Sequence, residues 1–161
     1  MEPNSLLNEA IHKDIKRIFE LHEKRVFVYN EFEIRFKEYL LDAPSFNSDK
    51  LQSICKEIGD QMNIISQEIL GIKSNFSPQV YNQKKLFNLV EKIQDLEQNK
   101  FKKTLEFYIN EQQRLEKLAD TDEFELVFKD NQTQMRKGLN DIKLEINECL
   151  EEMRYELYEN L

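Results

Sequence analysis

The sequence predicts an all-α protein, an elongated antiparallel helical bundle or hairpin with coiled-coil character and about four helices. Turn-forming residues are scarce, because the 161 residues include only three glycines and three prolines. Apolar side chains recur at steps of three or four residues over long stretches, which is the period of one face of an α-helix. Long helices joined by short connections therefore account for most of the chain.

A first long helix is predicted from about Ser5, its N-cap, to Leu41, with Pro44 just beyond its end. Such a helix would extend for roughly 55 Å at about 1.5 Å per residue. Its apolar positions step by three or four throughout and are expected to form one buried face. The predicted face consists of Ile11, Ile15, Ile18, His22, Val26, Tyr29, Phe32, Phe36 and Tyr39 or Leu40.

A second helix is predicted from Ser48 or Asp49 to about Ser74. Gly59 and Gly71 lie inside this helix, where they either allow a close approach of another helix or simply reduce stability. The apolar face is predicted to consist of Leu51, Ile54, Cys55, Ile58, Met62, Ile65, Ile69 and Ile72.

A third helix is predicted to follow Ser77 and Pro78, as N-cap and first helical residue, and to end near Leu118. Its first apolar positions follow a heptad pattern, and later ones continue on a shifted register, as in a coiled coil with a stutter. The first set is Leu86, Leu89, Ile93 and Leu96, and the second is Phe101, Tyr108 and Leu115.

A fourth helix is predicted to begin after the sequence "ADTD" at 119–122, with Thr121 as its candidate cap. Residues 120–161 contain 5 basic and 12 acidic side chains, a net charge of −7. The chain is therefore divided into a helical domain at 1–118 and an acidic helix at 119–161, packed on the domain or on a partner. Its apolar seam is predicted to consist of Phe124, Phe128, Met135, Leu139, Ile142, Ile146, Cys149, Met153 and Leu157.

The sequence offers no arrangement of residues that indicates catalysis or metal binding. It contains no glycine-rich phosphate loop, no H-E-x-x-H, no C-x-x-C and no Glu-x-x-His pair. We therefore predict a protein that is not an enzyme and has no cofactor or metal. Cys55 and Cys149 are expected to be free thiols in a reducing compartment, and His22 a core or interface residue, with pH sensing as the alternative.

Charge and hydropathy also limit the possible partners. The net charge of −8 argues against direct nucleic-acid binding, which normally uses a basic face. No apolar run approaches about 20 residues, so a membrane span is not predicted. No secretory signal is evident, and the protein is expected to be soluble and intracellular. Its partners are predicted to be other proteins that contact the long helices.

The first candidate interface is the aromatic stripe with Arg25, Tyr29, Phe32 and Phe36 on the first helix. Aromatic side chains at helical spacing are most often part of a core or a partner interface. A platform for stacking nucleic-acid bases is the alternative, but it would need a positive surrounding charge, and here the charge is balanced. The sequence therefore favours core or protein interface.

A second candidate interface is the basic cluster at 98–104, which contains Lys100, Lys102 and Lys103. Its ordinary role is the solvated face of a helix, and the alternative is a docking site for an acidic partner or a phosphate backbone.

The third candidate interface is Glu151, Glu152 and Glu156, near the end of the fourth helix, where carboxylates oppose the helix macrodipole. The apolar seam continues through this acidic end, so a basic group is expected to cover it. The third helix or a basic partner could supply that group, and the near-zero charge of the third helix favours the partner.

Three segments, in this order, resemble the required-for-excision 1-B domain family over about residues 15–110. They are "LHEKRVFVYNEFEIRFKEYL", "MNIISQEILGI" and "IQDLEQNKFKKT". The resemblance implies a role in DNA repair and carries over no catalytic or ligand-binding residue. The acidic fourth helix extends beyond the usual domain. The matching positions are Leu21, Arg25, Val26, Tyr29 and Phe32 in the first segment, Ile65, Ser66, Glu68 and Ile69 in the second, and Leu96, Glu97, Lys100 and Thr104 in the third.

Two functions agree with these observations. The first is a non-enzymatic helical adaptor or scaffold subunit of a larger assembly, which the resemblance links to DNA excision repair in the nucleus. The second is a structural component of a cytoskeletal or axonemal, that is ciliary, complex, because long helices without catalytic motifs suit a spacer in a filament. Localisation distinguishes the two.

Overall fold

The computed structural model describes residues 3–43, 45–117 and 122–160. It contains four long helices and a final π-helical turn, so the predicted helical bundle is confirmed. No helix in the described part of the chain is long and apolar enough to cross a bilayer. In chain order the elements are α1 (Pro3–Leu40), α2 (Ser48–Asn75), α3 (Lys84–Lys117), α4 (Asp122–Tyr155) and the turn Glu156–Asn160.

Helices α1 and α2 pack as an antiparallel hairpin. Arg17, early in α1, bonds to Glu68, late in α2, at 2.8 Å between Nη2 and Oε1. Arg35, late in α1, bonds to Glu57, earlier in α2, at 2.5 Å. The reversed order of these partners shows that the two helices run in opposite directions.

Helices α3 and α4 form a second antiparallel hairpin. Asn110 of α3 donates a hydrogen bond to Gln132 of α4 at 3.3 Å, while Lys85, at the start of α3, pairs with Glu156 at 2.7 Å. The two hairpins enclose one hydrophobic core to which all four helices contribute.

The predicted beginning of α1 is wrong by two residues, and that of α2 is confirmed. Helix α1 begins at Pro3, so Ser5 lies inside it and is not the N-cap. Proline suits a first helical turn because its missing N–H has no partner there in any case. In α2, the side chain of Asn47 accepts hydrogen bonds from the backbone N–H groups of Asp49, at 3.0 Å, and Lys50, at 3.4 Å.

The predicted start of α3 at Ser77 and Pro78 is also wrong, since this helix begins at Lys84. Phe76 is completely buried, and its carbonyl accepts a hydrogen bond from the N–H of Gln83 at 2.9 Å, which closes a turn. Asn82 adopts a left-handed backbone conformation with φ of 53°, which interrupts a helix. The proposed cap Thr121 lies outside the described residues.

The two glycines of α2 do not mark close helix contacts. A Cβ atom added at Gly59 or Gly71 would meet no atom within 4 Å. The explanation that these glycines allow another helix to approach closely is therefore wrong. Their expected effect is the ordinary loss of helix stability that glycine causes.

The apolar seam of α4 is covered within the chain. Ile142, Ile146, Cys149, Met153 and Leu157 are buried in the same core as the apolar residues of α1. The sequence favoured a basic partner for this end of the molecule, but the seam packs against the chain's own helices. The domain boundary predicted at 118 stays a prediction.

Candidate functional site

The buried seam of α1 passes through a charged residue at its centre. The buried residues of α1 follow one another in steps of three or four from Ile11 through Arg25 to Tyr39, and Arg25 is only 2% exposed. The prediction that Val26 belongs to the buried face is wrong, because this side chain is exposed. Helical spacing allows either position 25 or position 26 to lie in the core. Val26 was predicted to be buried because valine is apolar, but the buried side chain is that of Arg25.

The same spacing in α3 leads from Leu86 to two more buried charged residues. Glu97 is 5% exposed and Lys100 is 7% exposed, and both follow Leu86 in steps of four and three. The sequence analysis assigned this region a shift of register between Leu96 and Phe101. The buried face instead continues without a shift, because charged side chains occupy the next two core positions.

These residues form a polar layer across the middle of the bundle, which we call the charged layer. The Nη2 group of Arg25 donates hydrogen bonds to Ser66 Oγ at 3.0 Å and to Gln94 Oε1 at 2.5 Å. Arg25 therefore links α1 to both α2 and α3. The layer consists of His22, Arg25, Tyr29, Ser66, Gln94, Glu97 and Lys100.

The carboxylate of Glu97 is surrounded by the other ionisable groups of the layer. Its Oε1 atom lies 3.8 Å from His22 Nδ1. The Lys100 ammonium lies 4.0 Å from the centre of the Tyr29 ring, in a cation–π contact. The Nη1 group of Arg25 makes no hydrogen bond within the described chain. The layer therefore leaves part of its hydrogen-bonding capacity unused.

Burial changes the titration of this layer. It lowers the pKa of His22, although the charge of Glu97 opposes that shift. It also lowers the pKa of Arg25 and of Lys100, in each case against the favourable charge of Glu97. Burial raises the pKa of the Tyr29 hydroxyl, and the nearby Glu97 raises it further. With His22 neutral, the layer holds two cations and one carboxylate.

Two open grooves flank the charged layer, and Tyr29 lines both. The first, which we call the α2–α3 groove, has a volume of 420 Å³. Two cations and three carboxylates line it, a net charge of −1, and Lys73 pairs with Glu91 across it at 3.5 Å. The charged residues of its lining are Arg25, Lys73, Glu91, Asp95 and Glu97.

The second groove, which we call the basic groove, lies between α1 and α4 over α3 and has a volume of 740 Å³. Four cations and one carboxylate line it, a net charge of +3 in a protein whose net charge is −8. The sequence analysis did not identify Arg136 and Lys143, although their spacing of seven residues places them on one helix face. The charged residues of its lining are Glu33, Lys37, Lys100, Arg136 and Lys143.

The structure separates the residues of the predicted aromatic interface. Phe32 and Phe36 are buried, and their ring centres lie 5.2 Å and 4.5 Å from that of Tyr108. These two residues belong to the core. Arg25 is buried in the charged layer, and Tyr29 is half-buried against Phe101, with ring centres 6.4 Å apart.

The basic cluster of α3 is not one surface. Lys100 is buried at the floor of the basic groove, whereas Lys102 and Lys103 are exposed. Lys102 lines a shallow depression of 560 Å³ that shares no residue with the basic groove. The side chain of Lys103 lies against α4, where its Nζ atom is 3.9 Å from the position of a Cβ atom added at Gly138.

The three acidic candidates also differ from one another. Glu156 is buried and pairs with Lys85. Glu151 and Glu152 are exposed, and Glu151 pairs with Arg154 on its own helix. The described residues contain no cluster of histidine, cysteine and carboxylate side chains suited to a metal ion.

Comparison with known protein families identifies a match over most of the first three helices. The family model described as DNA repair REX1-B matches residues 13–111, which comprise most of α1, all of α2 and most of α3. This match confirms the resemblance found in the sequence. Neither the curated proteins nor the solved structures include a significant match to the chain.

Proposed function

The chain belongs to the DNA repair REX1-B family, and from this membership we propose that it is a non-enzymatic adaptor subunit of a DNA-repair assembly. The adaptor uses its long helices to contact other proteins and does not read DNA directly. A location in the nucleus is part of the same proposal.

An exposed apolar stripe on α1 is the observation that most favours a protein partner. Phe27, Ile34 and Leu41 recur every seven residues and are 62%, 59% and 84% exposed. Phe27 and Ile34 lie on the side of α1 opposite to the buried seam at Phe32 and Phe36, and Leu41 follows in the turn after the helix. A heptad stripe of apolar side chains facing solvent is suited to packing against a helix of another chain.

The charges of the molecule favour protein contacts over DNA contacts. The net charge is −8, and Arg25 is buried and bonded to neutral side chains of the bundle. Binding to a DNA backbone depends on attraction to a strongly negative polymer, which the net negative charge of this molecule opposes. The purified protein is therefore expected to bind duplex DNA only weakly at physiological salt.

The experiment is to express a tagged chain in its native cells, irradiate the cells with ultraviolet light, and identify the proteins that co-purify. The wild type should concentrate in the nucleus, move to damaged sites and retain DNA-repair proteins. A Phe27→Glu/Ile34→Glu variant should fold, as judged by circular dichroism, but lose these proteins. The control is Leu144→Glu, which makes the same kind of change at an exposed residue of α4.

Two outcomes would oppose this proposal. A chain found on microtubules or in cilia, without response to damage, would support the structural alternative. Retention of the same repair proteins by the α1 double variant would show that the apolar stripe is not the contact surface.

A further inference from the structure

The basic groove brings together four cations, and only one of them has an ion-pair partner among the described residues. Lys37 pairs with Glu33 on its own helix at 2.9 Å. Within the described residues, no carboxylate lies within 4.0 Å of the side-chain nitrogens of Lys100, Arg136 or Lys143. Three cations from two helices therefore face one groove without a carboxylate partner.

Lys100 lies at the floor of the basic groove in a fixed position. Its side chain is 7% exposed and is held over the Tyr29 ring, so its position is fixed by packing. Burial lowers the pKa of Lys100, the charge of Glu97 opposes that shift, and charge repulsion from Lys143 lowers the pKa further. A carboxylate that enters the groove would relieve this repulsion, which makes the site complementary to negative charge.

The aromatic residues around the groove indicate which kind of anion it accepts. Lys100 covers the Tyr29 ring, and Arg136 lies 5.4 Å from the centre of the Phe107 ring. The ring of Tyr108 is stacked on that of Phe36. Proteins that bind single-stranded nucleic acid offer open ring faces to the bases, whereas Tyr29 and Phe107 are each in contact with a cation of the groove itself. A protein segment is therefore the better match.

The groove also has apolar wall residues and an elongated shape. Val26 is exposed at its edge, and Leu139 is half-buried in its wall. The lining of α1 runs from His22 to Lys37, about 22 Å at about 1.5 Å per residue. An extended peptide of about seven residues covers that distance at about 3.3 Å per residue.

We propose that the basic groove binds an acidic segment of a partner protein, with carboxylates at Lys100, Arg136 and Lys143 and an apolar side chain against Val26 and Leu139. This inference rests on the proposed adaptor function, because it specifies the chemistry of one partner contact. It also separates this contact from the apolar stripe, which has no basic residue among its three members.

The test uses the full-length protein and three fluorescent probes in a titration followed by anisotropy. The first probe is an acidic peptide of about ten residues, enough to cover the groove, with leucines between its glutamates. The second is a polyglutamate peptide of equal length, and the third is a single-stranded oligothymidylate. The first probe should bind most tightly, and its affinity should fall as salt is added.

Charge reversal assigns the binding to the groove. Lys143→Glu should weaken the first peptide by about tenfold or more, because it replaces an attraction by a repulsion. Lys137→Glu, which makes the same change at an exposed α4 residue outside the groove, should leave the affinity unchanged. Circular dichroism of both variants checks that the bundle is intact.

The inference is overturned by three results: no saturable binding of the acidic peptide, equal affinity of the Lys143→Glu variant, or tighter binding of oligothymidylate that depends on Lys143. The proposed function fails in a different way, when the wild type from native cells retains no repair proteins. Peptide binding without repair proteins would keep the groove assignment and remove the repair role. Retention of repair proteins by a chain that does not bind the peptide would keep the repair role and remove the groove assignment.

Discussion

The two grooves share Tyr29 and border the same charged layer, but they differ in whether their cations have partners within the chain. On the α2–α3 side, Arg25 is bonded to Ser66 and Gln94, and Lys73 has Glu91. On the basic side, Lys100 and Lys143 have no carboxylate within ion-pair distance in the described chain. What distinguishes the basic groove is therefore the net positive charge of its lining, which favours a negatively charged ligand there and not in the α2–α3 groove.

The largest effect is expected from Glu97→Leu, which removes the carboxylate of the charged layer. Arg25 and Lys100 would then lose the nearby carboxylate whose charge favours their ionised forms, and leaving buried charges uncompensated costs about 3–5 kcal/mol. Urea denaturation of the wild type and the variant measures the difference. The control Asp95→Leu removes an exposed carboxylate from the same helix and should change stability by at most about 0.5 kcal/mol.

Phe32→Ala tests the apolar part of the same region. Phe32 is completely buried, and truncation of such a side chain costs about 3–5 kcal/mol. Tyr29→Ala should cost less, because Tyr29 is half-buried and lines both grooves. Equal losses of stability in the two variants would mean that Tyr29 is as much a core residue as Phe32, as the sequence alone suggested.

The charged layer also predicts a dependence of stability on pH. Burial lowers the pKa of His22 in the folded protein below the ordinary value of 6.5. The unfolded chain therefore binds more protons in this range, and stability should fall as pH falls from about 6.5 towards the folded pKa. Thermal unfolding at several pH values should show a smaller decline for His22→Gln. An unchanged slope in that variant would assign the decline to the carboxylates.

The smallest expected effect concerns α2, outside both charged regions. Gly71→Ala should stabilise the protein by about 0.5–1 kcal/mol, because alanine favours the helix and the added methyl group meets no atom within 4 Å. Denaturant unfolding measures this change. A loss of stability would show that the backbone at this position needs glycine.

The sequence predicted the helices well because their apolar positions recur with a helical period. It did not predict the charged layer, since Arg25, Glu97 and Lys100 occupy core positions that polarity alone assigns to solvent. A search for steps of three or four that allowed charged residues at core positions would have included all three. The turn before α3 was missed for another reason: Ser77 and Pro78 have the pattern of a helix start, whereas the backbone there closes a turn that ends at the left-handed Asn82.

The basic groove was predictable only in part. The spacing of Arg136 and Lys143 places them on one face of a helix, but their approach to Lys100 depends on how α4 packs against α3. The acidic end of α4 shows the same limit. Its net charge suggested a basic partner. In the structure, Glu156 pairs with Lys85 of the same chain, and the apolar seam packs in the chain's own core.

The central claim is that the two grooves differ in their capacity to bind a negatively charged protein segment. A nuclear magnetic resonance titration of the ¹⁵N-labelled protein with the acidic leucine-containing peptide tests it most directly. The account predicts saturable shifts of the backbone amides of Lys100, Arg136 and Lys143, with little change at Lys73 and Glu91. Shifts centred on the α2–α3 groove, or none in either groove, would contradict it.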